Sequence, residues 1–187
     1  MIERTLLLVK PDGVRRALIG TIISNVENVG LKVVAIKMVW PSKEIAGKHY
    51  IEDENWLLNV GNKQIATYKE KGINVKSSAR DLGVKVRMQL IESFSSGPVV
   101  PMVIEGNEAI FIVRKLLGAT EPRKSDPSTI RGRYSMDSYD MADKMQRPIL
   151  NLAHASEDKK TADREIALWF KKSEISEYSR VDESATI

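Results

Sequence analysis

Thr5 to Val9 is an unbroken apolar run closed by Lys10-Pro11-Asp12-Gly13. That pattern predicts a buried strand ending in a turn, because proline cannot donate to a ladder and glycine accepts positive φ. Ile19, Ile22, Ile23 and Val26 then recur at helical spacing, with Gly30 as a C-terminal stop. Leu31 to Trp40 is rich in Val and Ile and predicts a second strand. Ser42 is a good N-cap for a helix over Lys43 to Glu52. From Gly61 to Ser96 the texture changes to polar and helical. Ile65 and Tyr68 lie in one piece, and an apolar stripe of Leu82, Val86, Leu90, Ile91 and Phe94 in the next. Gly97-Pro98 ends it, and Val99 to Ile104 predicts a third strand. Ala109 to Leu117 reads as a helix ending at Gly118, although Ile110, Phe111, Ile112 and Val113 would also suit a strand. A Pro-, Ser- and Arg-rich loop follows from Thr120 to Tyr134. Leu150 to His154 predicts a short fourth strand. Ala162, Ile166, Trp169 and Phe170 give a last helix its buried face, and the tail from Ser173 is polar and expected to be mobile at its end.

The order is β-α-β-α, a helical insertion, then β-α-loop-β-α. Stripped of insertions it approaches the split βαβ, ferredoxin-like pattern of an α+β antiparallel sheet with helices on one face. The expectation is a single domain over residues 1–187, with a helical insertion at about 61–96 and an extended loop at about 132–150. At 187 residues, with 42% hydrophobic and 29% charged residues, an ordinary globular core is within reach. No apolar run approaches the length of a membrane span, and the apolar start is too short for a signal peptide. The absence of cysteine excludes thiol chemistry and is compatible with the expected cytoplasmic location. A net charge of +4 favours polyanions without choosing among them.

Two histidines occur, and His154 lies between an apolar stretch and an acidic helix start. A neutral imidazole is a competent nucleophile near neutral pH. Lys10, Arg114, Thr120, Arg131 and Asn151 fall at element ends and in loops, and these types match a polyphosphate: guanidinium forks, a point charge, hydroxyls and amides. The helix beginning after His154 is expected to add its positive end to a phosphate there. There is no P-loop, no G-x-G-x-x-G, no H-E-x-x-H and no G-x-S-x-G, so phosphate chemistry here relies on side chains and a histidine.

Several motifs, in order, resemble those of the nucleoside diphosphate kinase family. They are Glu3 to Val14, His49-Tyr50, Ser96-Gly97-Pro98-Val99-Val100, Leu117 to Pro122, Ser128 to Gly132, Asn151 to Ser156 and Glu165 to Phe170. The resemblance implies a ferredoxin-like fold and a ping-pong transfer of the γ-phosphate of a nucleoside triphosphate to a nucleoside diphosphate through a pros-phosphohistidine on His154. By motif position, Lys10, Arg114, Thr120, Arg131 and Asn151 contact phosphates or sugar. Tyr50 packs near the phosphate, and Trp56 stands where a Phe usually stacks on the base. Glu165 orients the His154 ring and Ser156 places Glu165. Mg²⁺ comes with the nucleotide phosphates, not in a protein-held metal site, and a homo-oligomer, hexameric or tetrameric, is expected. This sequence departs at Ala155, where the family has Gly, and at Arg133, where an acidic residue is usual.

Without the family, each of these residues has a plainer reading. A lone histidine is more often structural, Trp56 a rim aromatic, and Arg114 and Arg131 solvated charges. His49 reads as a helix-surface or packing residue. The alternative from another class is a ferredoxin-like module binding RNA or single-stranded DNA. Against it, no strand carries the aromatic signature of such modules, and aromatic content is only 6%.

Overall fold

The eight residues Ile2 to Val9 form the strand on which the sheet is built, and they are the first segment of a computed structural model that describes residues 2–70, 72, 74–181 and 183. In chain order the elements are β1 (Ile2–Val9), α1 (Pro11–Arg15), α2 (Ile19–Glu27), β2 (Lys32–Ile36), α3 (Lys43–His49), α4 (Glu54–Glu70), α5 (Ala79–Phe94), β3 (Val100–Asn107), α6 (Ala109–Leu117), α7 (Ile130–Tyr134), α8 (Tyr139–Lys144), β4 (Ala153–Ala155) and α9 (Lys159–Trp169). Single 3-10 turns cover Pro122–Lys124 and Lys172–Glu174. The chain divides into two compact units, one of residues 1–40 and 97–187, the other of residues 41–96.

The first unit carries a four-stranded antiparallel sheet in the order β2-β3-β1-β4, the expected ferredoxin-like arrangement. Alternation along β1 sorts its side chains. Leu7 and Val9 enter one core with Met102 and Val100, their partners on β3, and with Ala155 and Ala153 on β4. Ile22 and Val26 of α2 and Ala109, Val113 and Leu117 of α6 close that core. His154 pairs with Leu8, and so stands on the opposite face of the sheet.

Five local expectations are corrected. The Lys10-Pro11-Asp12-Gly13 segment is not a turn but the start of α1, with Lys10 extended at the N-cap and Pro11 at the first helical position, where its fixed φ suits the helix and no donor is lost. Gly13 is required by packing: a Cβ there would lie 2.6 Å from the Leu152 carbonyl oxygen. The second strand ends at Ile36, and only Val39 continues it, as a bridge to Val99. The helical stretch expected from Gly61 begins earlier, at Glu54, after Asp53 accepts from the Trp56 amide (2.8 Å). The segments taken as loop at 120–134 and 132–150 hold a 3-10 turn, α7 and α8. Thr129 and Ser138 cap the two helices. The fourth strand is only Ala153–Ala155, because the chain before it makes a tight turn.

The tail is polar as expected, but it is laid down along β2 as far as Arg180. Ser176 N donates to Val34 O (2.8 Å) and the Tyr178 hydroxyl to Val33 O (3.1 Å). Lys32, buried at 9% exposure, bonds Tyr178 O and pairs with both Glu105 and Glu183. Residues 184–187, where a mobile end was expected, lie outside the described residues.

In the second unit, α4 and α5 cross at two glycines. A Cβ on Gly61 would fall 1.7 Å from Ala79 O, and one on Gly83 2.2 Å from Leu57 O, so only glycine lets the backbones approach this closely. Arg87 of α5 ties α3 in turn, donating from Nε to Tyr50 O (2.7 Å).

These contacts give opposite signs for the same substitution. Gly83→Ala is expected to destabilise by about 1–3 kcal/mol through overpacking. Gly20→Ala, in α2 with nothing within 4 Å of the new methyl, is expected to be neutral or to stabilise by up to about 1 kcal/mol. Urea unfolding of the two variants measures both; a Gly83→Ala midpoint at or above the parent's would contradict the crossing described.

Candidate active site

Three segments of the first unit converge: the β1–α1 junction, the residues after α6, and the turn before β4. Asn151 is their knot. It is 2% exposed, and its Oδ1 accepts from Lys10 Nζ (2.8 Å) while its Nδ2 donates to Thr120 O (2.9 Å). Arg131, on α7, is 8% exposed. Its Nε donates to Asn151 O (3.1 Å), one terminal nitrogen to Gly118 O (2.8 Å) and Ala119 O (3.2 Å), and the other to Ala153 O (2.7 Å). Four of these bonds come from a group with five N–H donors.

The electrostatics follow from this crowding of cations. Burial pushes the Lys10 ammonium down to about 8; Asp12 pulls it back up and Arg131 lowers it further. Burial and then Arg114 lower the Arg131 guanidinium to about 10, which leaves it charged at neutral pH. Arg114 itself lies exposed on α6, without a side-chain hydrogen bond to the described residues. Thr120 is exposed, and its carbonyl is the group that holds Asn151.

On β4, the His154 side chain keeps 23% of its surface exposed, and its Nε2 lies 2.8 Å from Glu165 Oε2. Glu165, 3% exposed in α9, takes a second bond on the same oxygen from Ser156 Oγ (2.6 Å), and Arg164 reaches Oε1 (3.2 Å). Burial alone would raise the Glu165 pKa, but the bonds from His154 and Ser156 outweigh it and hold the carboxyl below the usual range. An ionised carboxylate only accepts, so the shared proton sits on Nε2 and the ring's lone pair on Nδ1.

Lys10, Thr120, Arg131 and Asn151 are therefore brought together, and His154, Glu165 and Ser156 form a second connected set on the strand that Arg131 also grips. Tyr50 and Trp56 belong to the helical unit. The Tyr50 ring packs edge-on against His49 (4.9 Å) and Phe94 (5.3 Å), and Trp56 is half-buried in the first turn of α4. His49, 2% exposed and stacked on Phe94, is a packing residue and not a helix-surface one. The helix after His154 is α9, which starts at Lys159, with the Asp158 carboxylate at its N-cap holding the Thr161 amide (2.7 Å). Ala155 sits on the core side of β4 and Arg133 points to solvent, so neither departure disturbs these groups. Asp12 was not singled out. Its carboxylate accepts from Leu152 N (2.9 Å), a contact across 140 positions that gives no local signal.

A sequence model described as nucleoside diphosphate kinase matches residues 3–58 and 83–175. The chain is 44% identical over 181 residues to a nucleoside diphosphate kinase of Pyrobaculum aerophilum, covering 94% of this chain and 99% of that one. The crystal structure of an NDP kinase from the same organism superposes with a TM-score of 0.91 at 42% identity, covering 95% of this chain and all of the other. A nucleoside-diphosphate kinase from Borrelia burgdorferi, solved as a transition state mimic with bound vanadate and ADP, reaches a TM-score of 0.80 at 40% identity over 98% of this chain and 96% of that one. The chain belongs to the nucleoside diphosphate kinase family.

Proposed function

We propose that this chain moves a γ-phosphate between nucleotides through Nδ1 of His154, and the observation that carries this is the 2.8 Å Nε2–Glu165 contact, with Ser156 on the same carboxylate oxygen. The Nδ1 lone pair attacks the γ-phosphorus of a nucleoside triphosphate, the bond to the bridging oxygen breaks, and the diphosphate leaves with that electron pair. A second diphosphate reverses the step and discharges the histidine. The attack leaves the ring cationic, and Glu165 stabilises it through Nε2–H while fixing its orientation. Lys10 presents a point charge to the phosphates, Arg131 offers its remaining N–H, and Arg114 and Thr120 supply exposed donors. Asn151 keeps Lys10 in place. Tyr50 and Trp56, as phosphate and base contacts, rest on the resemblance alone.

Mg²⁺ would come with the nucleotide, where it would neutralise phosphate oxygens, while Asp12 is engaged with Leu152 and Glu165 with His154, Ser156 and Arg164. No helix of the described residues is long and apolar enough to cross a membrane, and we place the enzyme in the cytoplasm as a homo-oligomer, hexameric or tetrameric, of one kinase-like domain per chain with its helical insertion.

Incubation with γ-labelled ATP and Mg²⁺ is expected to leave an acid-labile, alkali-stable phosphate on the protein that CDP or GDP removes. His154→Ala should take up none while melting like the parent, and label persisting on it would sink the assignment. Glu165→Gln exchanges an acceptor for a group able to donate to Nε2, which moves the ring proton to Nδ1. Phosphorylation in a single turnover should slow by roughly 10²- to 10⁴-fold, and an unchanged rate would remove Glu165 from the mechanism. The Lys10 ammonium supplies a pH test. Its charged form binds phosphate, and it is lost from the free protein as pH rises through about 8. ADP affinity should therefore be flat between pH 6.5 and 7.5 and weaken above 8 with proton uptake, which calorimetry in two buffers of different ionisation heat would detect. A constant affinity to pH 9.5 would contradict it.

A further inference from the structure

Leu152 is the strained residue of the site. Its φ is +70°, a region that bulky side chains rarely adopt, and the Ala153 amide donates back to Asn151 O at 2.8 Å. An i to i+2 bond around such a φ is the classic form of the γ-turn, rare and unfavourable for a leucine. The residue on one side is Asn151, which holds Lys10; two residues on the other side stands His154. The two halves of the chemistry are thus joined through a backbone conformation that Leu152 would not adopt unaided.

What enforces it is the β1–α1 junction. Leu152 N donates to Asp12 Oδ2 (2.9 Å), and Leu152 O accepts from Lys10 N (2.8 Å). The Gly13 backbone lies against the same carbonyl, and the Leu152 side chain is 1% exposed in the core. The Asp12 carboxylate is the side chain bonded to the Leu152 amide, while Arg131 Nε donates to Asn151 O of the same peptide (3.1 Å). The bond is charge-assisted and part-buried, so water competes with it only in part. We propose that Asp12 is a positioning residue for phosphoryl transfer: it touches no reacting atom, and it holds the left-handed turn at Leu152 that sets Lys10–Asn151 and His154 in mutual register. This rests on His154 being the phosphate carrier. The hydrogen bond does the positioning; the Asp12 charge also supports the charged form of Lys10, so the variants are compared at pH 6.5, well below the Lys10 pKa of about 8.

Substitutions that separate the bond from the charge test this. Asp12→Asn keeps an acceptor of the same reach without the charge; Asp12→Glu keeps the charge and moves the acceptor by a methylene; Asp12→Ala removes both. Single-turnover phosphorylation of the full chain by γ-labelled ATP is read beside the melting curve. Asp12→Asn is expected to stay within about threefold of the parent, because its bond to Leu152 N survives. Asp12→Glu and Asp12→Ala should each lose about 10²-fold, the scale of an ångström's misplacement. Equal rates in all variants, a Glu variant faster than the Asn variant, or an Asn variant that does not fold would each overturn the proposal. If Asp12→Ala fails to fold, the order of Asn and Glu still decides. A parent protein that takes up no label at His154 would instead overturn the reading of the site on which this rests.

Discussion

A guanidinium buried among main-chain carbonyls sets the conditions for everything near it. Arg131 donates to Gly118, Ala119, Asn151 and Ala153, and none of those acceptors is a carboxylate. Removing a full charge from water without an ion partner is costly, and four dipoles compensate only in part. The consequence is a positive field in a partly dry place, which adds to the burial that depresses the neighbouring lysine. The same bonds also fix the backbone from α6 to the start of β4, so one side chain supplies both the scaffold and the potential. A phosphate entering there would complete what the protein leaves uncompensated.

The histidine is managed by different means. Its carboxylate partner is nearly inaccessible and would resist ionisation were it not bonded from two sides on one oxygen. A short strand and the helix that begins four residues after it suffice to assemble His154, Ser156 and Glu165, since the contacts span nine and eleven positions. Lys10 and Asn151 are the reverse, meeting across 141 positions. The histidine set and the cations therefore come from local and distant parts of the chain, and β1, paired to β4, is what brings them level.

That division explains what the sequence could reveal. The strands and the helices α2, α6 and α9 follow from apolar spacing, because their faces are buried on one side and the period survives. Ser42 and Gly118 mark ends as their chemistry requires. Pro11 misleads, since proline begins a helix as readily as it ends a strand, and only the Gly13–Leu152 packing decides which. The 120–150 region reads as loop because α7 and α8 are five and six residues long, too short for a periodicity, and are held by caps and by the Asp137–Arg147 pair instead. His154, Glu165, Ser156, Lys10, Asn151 and Arg131 were legible through ordered motifs. That Arg131 spends its donors on carbonyls, and that Leu152 is left-handed, were not, because both are facts about distant backbone.

The tail has a bearing on how the molecule comes into being. β2 is complete once residue 36 has been made, yet Val33 and Val34 receive their outer hydrogen bonds from Tyr178 and Ser176, and Lys32 finds Glu183 across 151 positions. During synthesis that rim of the sheet is exposed until residues 176–178 have been made. A bare rim is where strands of other molecules can add. Residues 176–180 thus close a window of vulnerability that β2 opens, and the order of translation sets how long it lasts.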